Sequence, residues 1–147
     1  MAADTGKKVL ARLLKKCSAK TKRKFGARHT GWEVTLPSGE TAYIFERRHH
    51  QIYRGGPVKE GGFLTISDAM LAGKASWMIE HDALRYVKKA ALKWIIIFCV
   101  DTGDAFIASV EQWSDREIAK DVNLAGYRDT VRHLPISHMV RKNFGSV

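Results

Sequence analysis

Val9, Leu10, Leu13, Leu14 and Cys17 recur at helical spacing, while Lys8, Arg12, Lys15 and Lys16 fall largely off that stripe. The pattern is that of an amphipathic helix with one face for a core. It predicts a first helix from about Thr5 to Ala19 that frays into the basic stretch Lys20–Arg28. The period then changes. Trp32-Glu33-Val34-Thr35-Leu36 alternates apolar and polar, Pro37-Ser38-Gly39 supplies turn chemistry, and Thr41–Arg48 resumes the alternation, which predicts a hairpin. A third short strand is expected around Gln51–Arg54, followed by a loop running from Gly55-Gly56-Pro57 to Gly61-Gly62. Phe63–Leu71 fits either a buried strand or a short helix capped by Thr65 or Ser67.

Ile79, Ala83, Tyr86, Val87, Ala90 and Ala91 form the stripe of a second helix predicted over Ser76–Lys93, with Arg85, Lys88 and Lys89 outside it. Trp94–Val100 is a continuous apolar run with β-branched residues, the signature of a central strand covered on both faces. Asp101-Thr102-Gly103-Asp104 turns the chain into an antiparallel neighbour at Ala105–Val110, and Ser114-Asp115-Arg116-Glu117 has the spacing of a capping box for a short helix. From Val122 onward periodicity is weak, and an irregular tail or an edge strand over 122–147 is expected. The element order, α-βββ-α-ββ-α, implies a single-domain α/β or α+β layered fold with a mixed sheet flanked by helices. The basic N-terminal element would occupy 5–28 and the core 29–121.

Composition changes this picture in one respect. The 147 residues are 45% hydrophobic and 27% charged, within the range of one folded domain. The net charge of +10, however, is unevenly placed. Residues 1–32 hold ten Lys/Arg against Asp4 alone, whereas the other 115 hold 15 Lys/Arg and 14 Asp/Glu. Charge for solubility would be interspersed; a block of one sign attracts a polyanion. Nucleic acid is the expected partner, and duplex or branched DNA its expected form. Lys15, Lys16, Lys20, Lys22, Arg23, Lys24 and Arg28 are the expected phosphate contacts. A membrane-surface helix, a targeting peptide and a solvated tail remain alternatives for this segment.

No window approaches the ~18 apolar residues of a membrane span, and Lys7–Lys24 contains no apolar signal region. The expected location is the cytoplasm, beside the nucleoid if the source is bacterial, with no membrane partner. Cys17 and Cys99 have no metal-ligand spacing and read as reduced thiols, a disulfide between them remaining open. A homodimer is open as well.

Candidate chemistry lies on the hairpin. Glu46 and Arg48 are two apart and so share a face. A two-residue turn at Ser38-Gly39, or a four-residue loop from Pro37 to Glu40, sets Glu33 opposite Ile44 and one diagonal step from Glu46. An odd-length loop would flip it. Two carboxylates converging beside a cation can hold Mg²⁺ through oxygen and activate a water against a phosphodiester. The alternative is a solvated hairpin in which Glu33 and Arg48 form a cross-strand ion pair.

The helix, then Trp32-Glu33-Val34, then Tyr43-Ile44-Phe45-Glu46-Arg47-Arg48 resembles the core of the PD-(D/E)XK, restriction-endonuclease-like nucleases, nearest in layout to the archaeal Holliday-junction resolvases. Glu33 stands where that family usually has Asp, and Arg48 where it usually has Lys. The resemblance implies Mg²⁺-dependent DNA cleavage, with Glu33 and Glu46 as metal ligands and Arg48 as third catalytic residue. A nonenzymatic nucleic-acid-binding or accessory subunit is the alternative.

Arg47-Arg48-His49-His50, with Arg54 beyond, forms a second basic cluster beside the hairpin and adds Arg47, His49, His50 and Arg54 to the expected phosphate contacts. Trp77, Trp94, Trp113 and Tyr86 read as packing residues. Glu80-His81-Asp82 suits the dipole at a helix start. No Walker loop or dinucleotide fingerprint occurs.

Overall fold

The computed structural model describes residues 5–25, 29–48, 52–53, 63–64, 76–122 and 131–144. It is a mixed α+β fold. A six-stranded sheet runs in the order β1 (Ser18–Phe25), β2 (His29–Thr35), β3 (Thr41–Arg47), β7 (Trp94–Cys99), β8 (Asp104–Ser109), β11 (Val140–Asn143). All its pairings are antiparallel except β3 with β7. A second sheet is built on β6 (Ser76–Glu80), β10 (Val131–Pro135) and β9 (Lys120–Val122). The two-residue strands β4 (Ile52–Tyr53) and β5 (Phe63–Leu64) extend it.

Alternation along β3 divides the interior in two. Ala42 and Ile44 face a cluster with Val34, Phe98, Ala105 and the apolar stripe Val9, Leu10 and Leu14 of helix α1 (Thr5–Lys15). Tyr43 and Phe45 face a larger cluster with Trp77 and Ile79 of β6, Val87 of helix α2 (His81–Lys89), Ile95, Ile97 and Trp113. The large sheet is therefore covered on both faces, by α1 on one and by the second sheet with α2 on the other. Burying an aliphatic side chain contributes about 1.5–3 kcal/mol. Three on α1 amount to roughly 5–9 kcal/mol, on the scale of a whole domain's stability. The first helix is thus part of the core, as its stripe predicts.

The trace corrects four boundaries. Helix α1 ends at Lys15, where the Lys16 and Cys17 N–H groups bond to Leu13 and Leu14 carbonyls in a tightened last turn. Ala19 then takes a left-handed φ of 51°, and the basic stretch becomes edge strand β1, with its register irregular between Ser18 and Thr21. Lysines on an edge strand oppose further strand pairing. The stretch expected as one helix over Ser76–Lys93 begins as strand β6, whose ladder with β10 runs from Ser76 to Glu80, and turns helical at His81.

The capping box lies at Ser109 and Gln112 of the short helix α3 (Val110–Ser114) rather than at Ser114 and Glu117. Buried Val110 and Trp113 hold that turn against the core, while the Ser114 hydroxyl donates back to the Val110 carbonyl. Finally, the segment expected as an irregular tail or an edge strand contributes β11 at the edge of the large sheet and β10 inside the second. The strands at Trp94–Cys99 and Asp104–Ser109, the turn between them and the β2–β3 hairpin fall where the pattern places them.

Candidate nucleic-acid interface

Helix α1 turns its apolar stripe inward, so its polar positions must face out. Lys7, Lys8, Arg12, Lys15 and, just past its end, Lys16 are all exposed, and Lys20 and Lys22 continue the exposed series on β1. Residues 5–25 contain no Asp or Glu. Two of these cations also have local work. Lys20 Nζ donates to the Leu14 carbonyl (2.9 Å) at the C-terminal end of α1, where the helix dipole favours positive charge. Lys22 Nζ lies 5.3 Å from the centre of the Trp32 ring. Lys7, Lys8 and Arg12 were not among the expected contacts, yet the helical stripe marks them as outward-facing. Of the remaining expected contacts, Arg23 and Lys24 lie on β1 but their side chains, like Arg28, fall outside the described residues.

The hairpin loop decides the fate of the carboxylate pair. Leu36 donates to the Glu40 carbonyl (2.7 Å) and Gly39 to that of Leu36 (2.8 Å), leaving the three residues Pro37-Ser38-Gly39 as the loop. Gly39 has a φ of 91°, the left-handed residue such a loop requires. This odd length sets Glu33 opposite Tyr43 and Trp32 opposite Ile44. Side chains along a strand alternate, so Glu33 and Glu46 stand on opposite faces of the sheet. Their partners agree. The Tyr86 hydroxyl of α2 donates to Glu33, while Trp32 Nε1–H, on the α1 side, donates to Glu46 (2.8 Å). The expected convergence of Glu33 and Glu46 is therefore corrected. One Mg²⁺ held by both carboxylates does not fit this register, and Arg48 cannot complete such a site. Among the described residues no group of three or more His, Cys, Asp or Glu is placed to share a metal.

Arg47 is corrected as well. It is 4% exposed, with Nη1 donating to the Glu46 carbonyl (3.1 Å) and Nη2 3.5 Å from the Met78 carbonyl and 3.9 Å from Glu80. Its guanidinium lies 4.8 Å from the Phe45 ring centre. It joins the two sheets and is not available to a phosphate. Arg48 is half-buried just past β3. His49, His50 and Arg54 lie outside the described residues.

Polar clusters elsewhere are explained by packing. Arg132, 6% exposed, donates to Asp121 (2.6 Å) and to the Trp113 carbonyl (2.9 Å), and His81 Nε2 lies 2.9 Å from the same Asp121 oxygen. Burial raises the Asp121 carboxyl, but these hydrogen bonds outweigh it and hold the group below its ordinary range. Buried Asp104 accepts from Arg141 (2.9 Å) and Asn143 (2.7 Å), fastening β11 to β8. Cys17 and Cys99 are free thiols in the two clusters on opposite faces of the sheet, and burial pushes the pKa of both upward. Trp77 and Trp113 are fully buried, as expected of packing residues.

Beside α1 lies a cleft of about 420 Å³, lined by Val9, Arg12, Leu13, Lys15, Lys16 and Phe144. Phe144 stands past the end of β11, in the segment where the sequence pattern gives no periodic signal. Among the described residues no helix is long and apolar enough to cross a membrane. No known protein family, curated protein or solved structure matches the chain.

Proposed function

We propose that the protein binds nucleic acid through the cationic face of α1 and the start of β1, acting as a binding or accessory protein. The observation that carries this reading is a row of seven exposed cations, Lys7, Lys8, Arg12, Lys15, Lys16, Lys20 and Lys22, in a stretch without a carboxylate. Surface charge of one sign, fixed on a rigid helix, concentrates phosphate and speeds association. At 1.5 Å per residue the 11 residues of α1 span about 16 Å. Each strand of duplex DNA carries one phosphate per about 3.4 Å of axis, so about five phosphates of the facing strand are within reach.

Those contacts give an expected slope of log affinity against log salt near −4.5, or about a 500-fold loss between roughly 50 and 200 mM salt. Fluorescence anisotropy with labelled duplex DNA measures it directly. Replacing Lys7, Lys8, Lys15 and Lys16 by Gln should flatten the slope by about 0.9 for each lost contact. A slope unchanged by all four substitutions would remove the α1 face from the interface. Binding that ignores salt in the unaltered protein would remove the electrostatic reading altogether.

A further inference from the structure

The cleft beside α1 differs from the rest of the cationic face, because its floor is apolar. Val9 is buried and Leu13 and Phe144 half-buried, while Arg12, Lys15 and Lys16 on its rim are exposed, and among the described residues no carboxylate lines it. Phe144 is held at two points. Its N–H bonds to the Gly103 carbonyl (2.9 Å), and its ring stacks against Phe98 at 6.4 Å with 25° between planes. Arg12 and Lys15 on α1 and Lys16 just past its end stand three and four residues apart in a stretch of sequence without Asp or Glu, an arrangement that repels itself. The helix dipole explains cations at this end. It does not explain an aromatic wall and an apolar floor open to solvent beneath them.

We propose that this cleft takes one unpaired nucleotide of a nucleic-acid strand, its base against Phe144 and its phosphate between Arg12 and Lys16. The proposal rests on the binding reading above and adds the strand state that the face selects. The volume of about 420 Å³ falls within the range of small-ligand sites. A planar base needs one aromatic wall, and stacking on it tolerates any base. The cations on the rim belong to the row that continues to Lys7 and Lys8 in one direction and to Lys22 in the other, so neighbouring phosphates also find partners. A duplex cannot offer a base to this wall without unpairing it.

The test compares an oligothymidylate single strand, a duplex of equal length and heparin, a polyanion without bases, by anisotropy or competition. Phe144→Leu keeps apolar contact with Phe98 and removes the stacking surface. It should weaken single-strand binding about 5- to 100-fold and leave heparin binding within about twofold, while Phe144→Trp retains single-strand binding. Should Phe144→Leu unfold the protein, photocrosslinking of the unaltered chain to an iodouracil-substituted strand replaces it. A crosslink on Phe144 supports the site, and crosslinks mapped only to other residues overturn it. Equal binding of all three polyanions regardless of residue 144 overturns the site while leaving the cationic face intact. With anionic phospholipid vesicles as a fourth probe, a Phe144→Leu effect confined to vesicle binding overturns it in favour of a lipid ligand. Absence of salt-sensitive binding to any polyanion removes both proposals together.

Discussion

Arg47 separates a structural cation from a nucleic-acid contact, and Arg47→Met tests which it is. The side chain is 4% exposed, its Nη2 is 3.9 Å from Glu80 on β6, and Glu80 itself keeps 17% of its side-chain surface. At an effective dielectric of about 20, unit charges at that distance attract by about 4 kcal/mol. Methionine fills most of the arginine stem's volume and removes the desolvation cost of the guanidinium, but it leaves Glu80 without that cation. The carbonyls of Glu46 and Met78 also lose a donor. Because Glu80 retains some water, the net loss should lie toward the lower end, about 2–3 kcal/mol. With an unfolding entropy near 2.1 cal/mol/K per residue, a chain of this length should melt about 6–10 °C lower. Thermal denaturation followed by far-UV circular dichroism reads this out. The pair Arg47→Met with Glu80→Gln should be less destabilised than the two single variants summed. Nucleic-acid affinity, measured well below the melting temperature, should stay within about twofold of the unaltered protein, since no phosphate reaches a side chain so deeply covered. A variant that melts within a degree of the parent but binds tenfold more weakly would refute this placement of Arg47.

Three further substitutions follow from local geometry. Ala91 closes α2 at a φ of 56°, with Leu92 N–H bonded to the Val87 carbonyl and Ala91 N–H to that of Lys88, the Schellman arrangement that favours glycine. Ala91→Gly should therefore raise stability by about 0.5–1 kcal/mol in denaturant titration, the relief of left-handed strain exceeding the added chain entropy. Asp104→Ala removes the buried acceptor of Arg141 and Asn143. It should cost about 2–4 kcal/mol and raise amide exchange across Val140–Asn143 ahead of the other strands. Burial, aided by the charge of Lys120 and opposed by that of Asp121, holds the His133 imidazole below its ordinary range, with Nδ1 3.1 Å from the Ser76 hydroxyl. The unfolded chain takes up that proton first, so the contribution is complete above about pH 6.5 and is lost as pH falls through the lower folded value. Melting temperature should drop across that window, and His133→Gln should flatten the drop.

The parts of the fold legible in the sequence are those where one period dominates. The stripe of α1, the run Trp94–Cys99 and the alternation of the hairpin each answer to a single buried surface. Legibility failed where two signals overlapped. Ile79 sits in register with the helical stripe of Ala83 and Val87, so a strand buried on its own account reads as the first turn of the helix that follows. Ser109-x-x-Gln112 and Ser114-x-x-Glu117 both satisfy the capping pattern, and only the buried pair Val110 and Trp113 chooses between them. Strand β11 has no apolar face of its own, because all four of its residues are exposed and Asp104 holds two of them to β8. No window-based pattern carries that bond.

The candidate site divides along the same line. A helix whose stripe is known has a known outward face, so the cations of α1 are legible from spacing alone. The carboxylate pair depended instead on whether the hairpin loop holds an even or an odd number of residues. Ser38 and Gly39 satisfy the chemistry of a two-residue turn and also of the three-residue loop with Gly39 at its left-handed position. The free-energy difference between such loops is small, but its consequence is not, since one residue of slip moves Glu33 through the sheet. What selects the odd loop is the interior. With Glu33 opposite Tyr43, Val34 falls on the α1 side beside Ala42 and Ile44, and it is 1% exposed there. The other register would carry Val34 to the opposite face and set Glu33 against the leucines of α1, at the cost of a buried charge without a partner. The same apolar stripe that makes α1 part of the core thus fixes the hairpin register and separates the carboxylates. It also leaves the helix's cations facing outward.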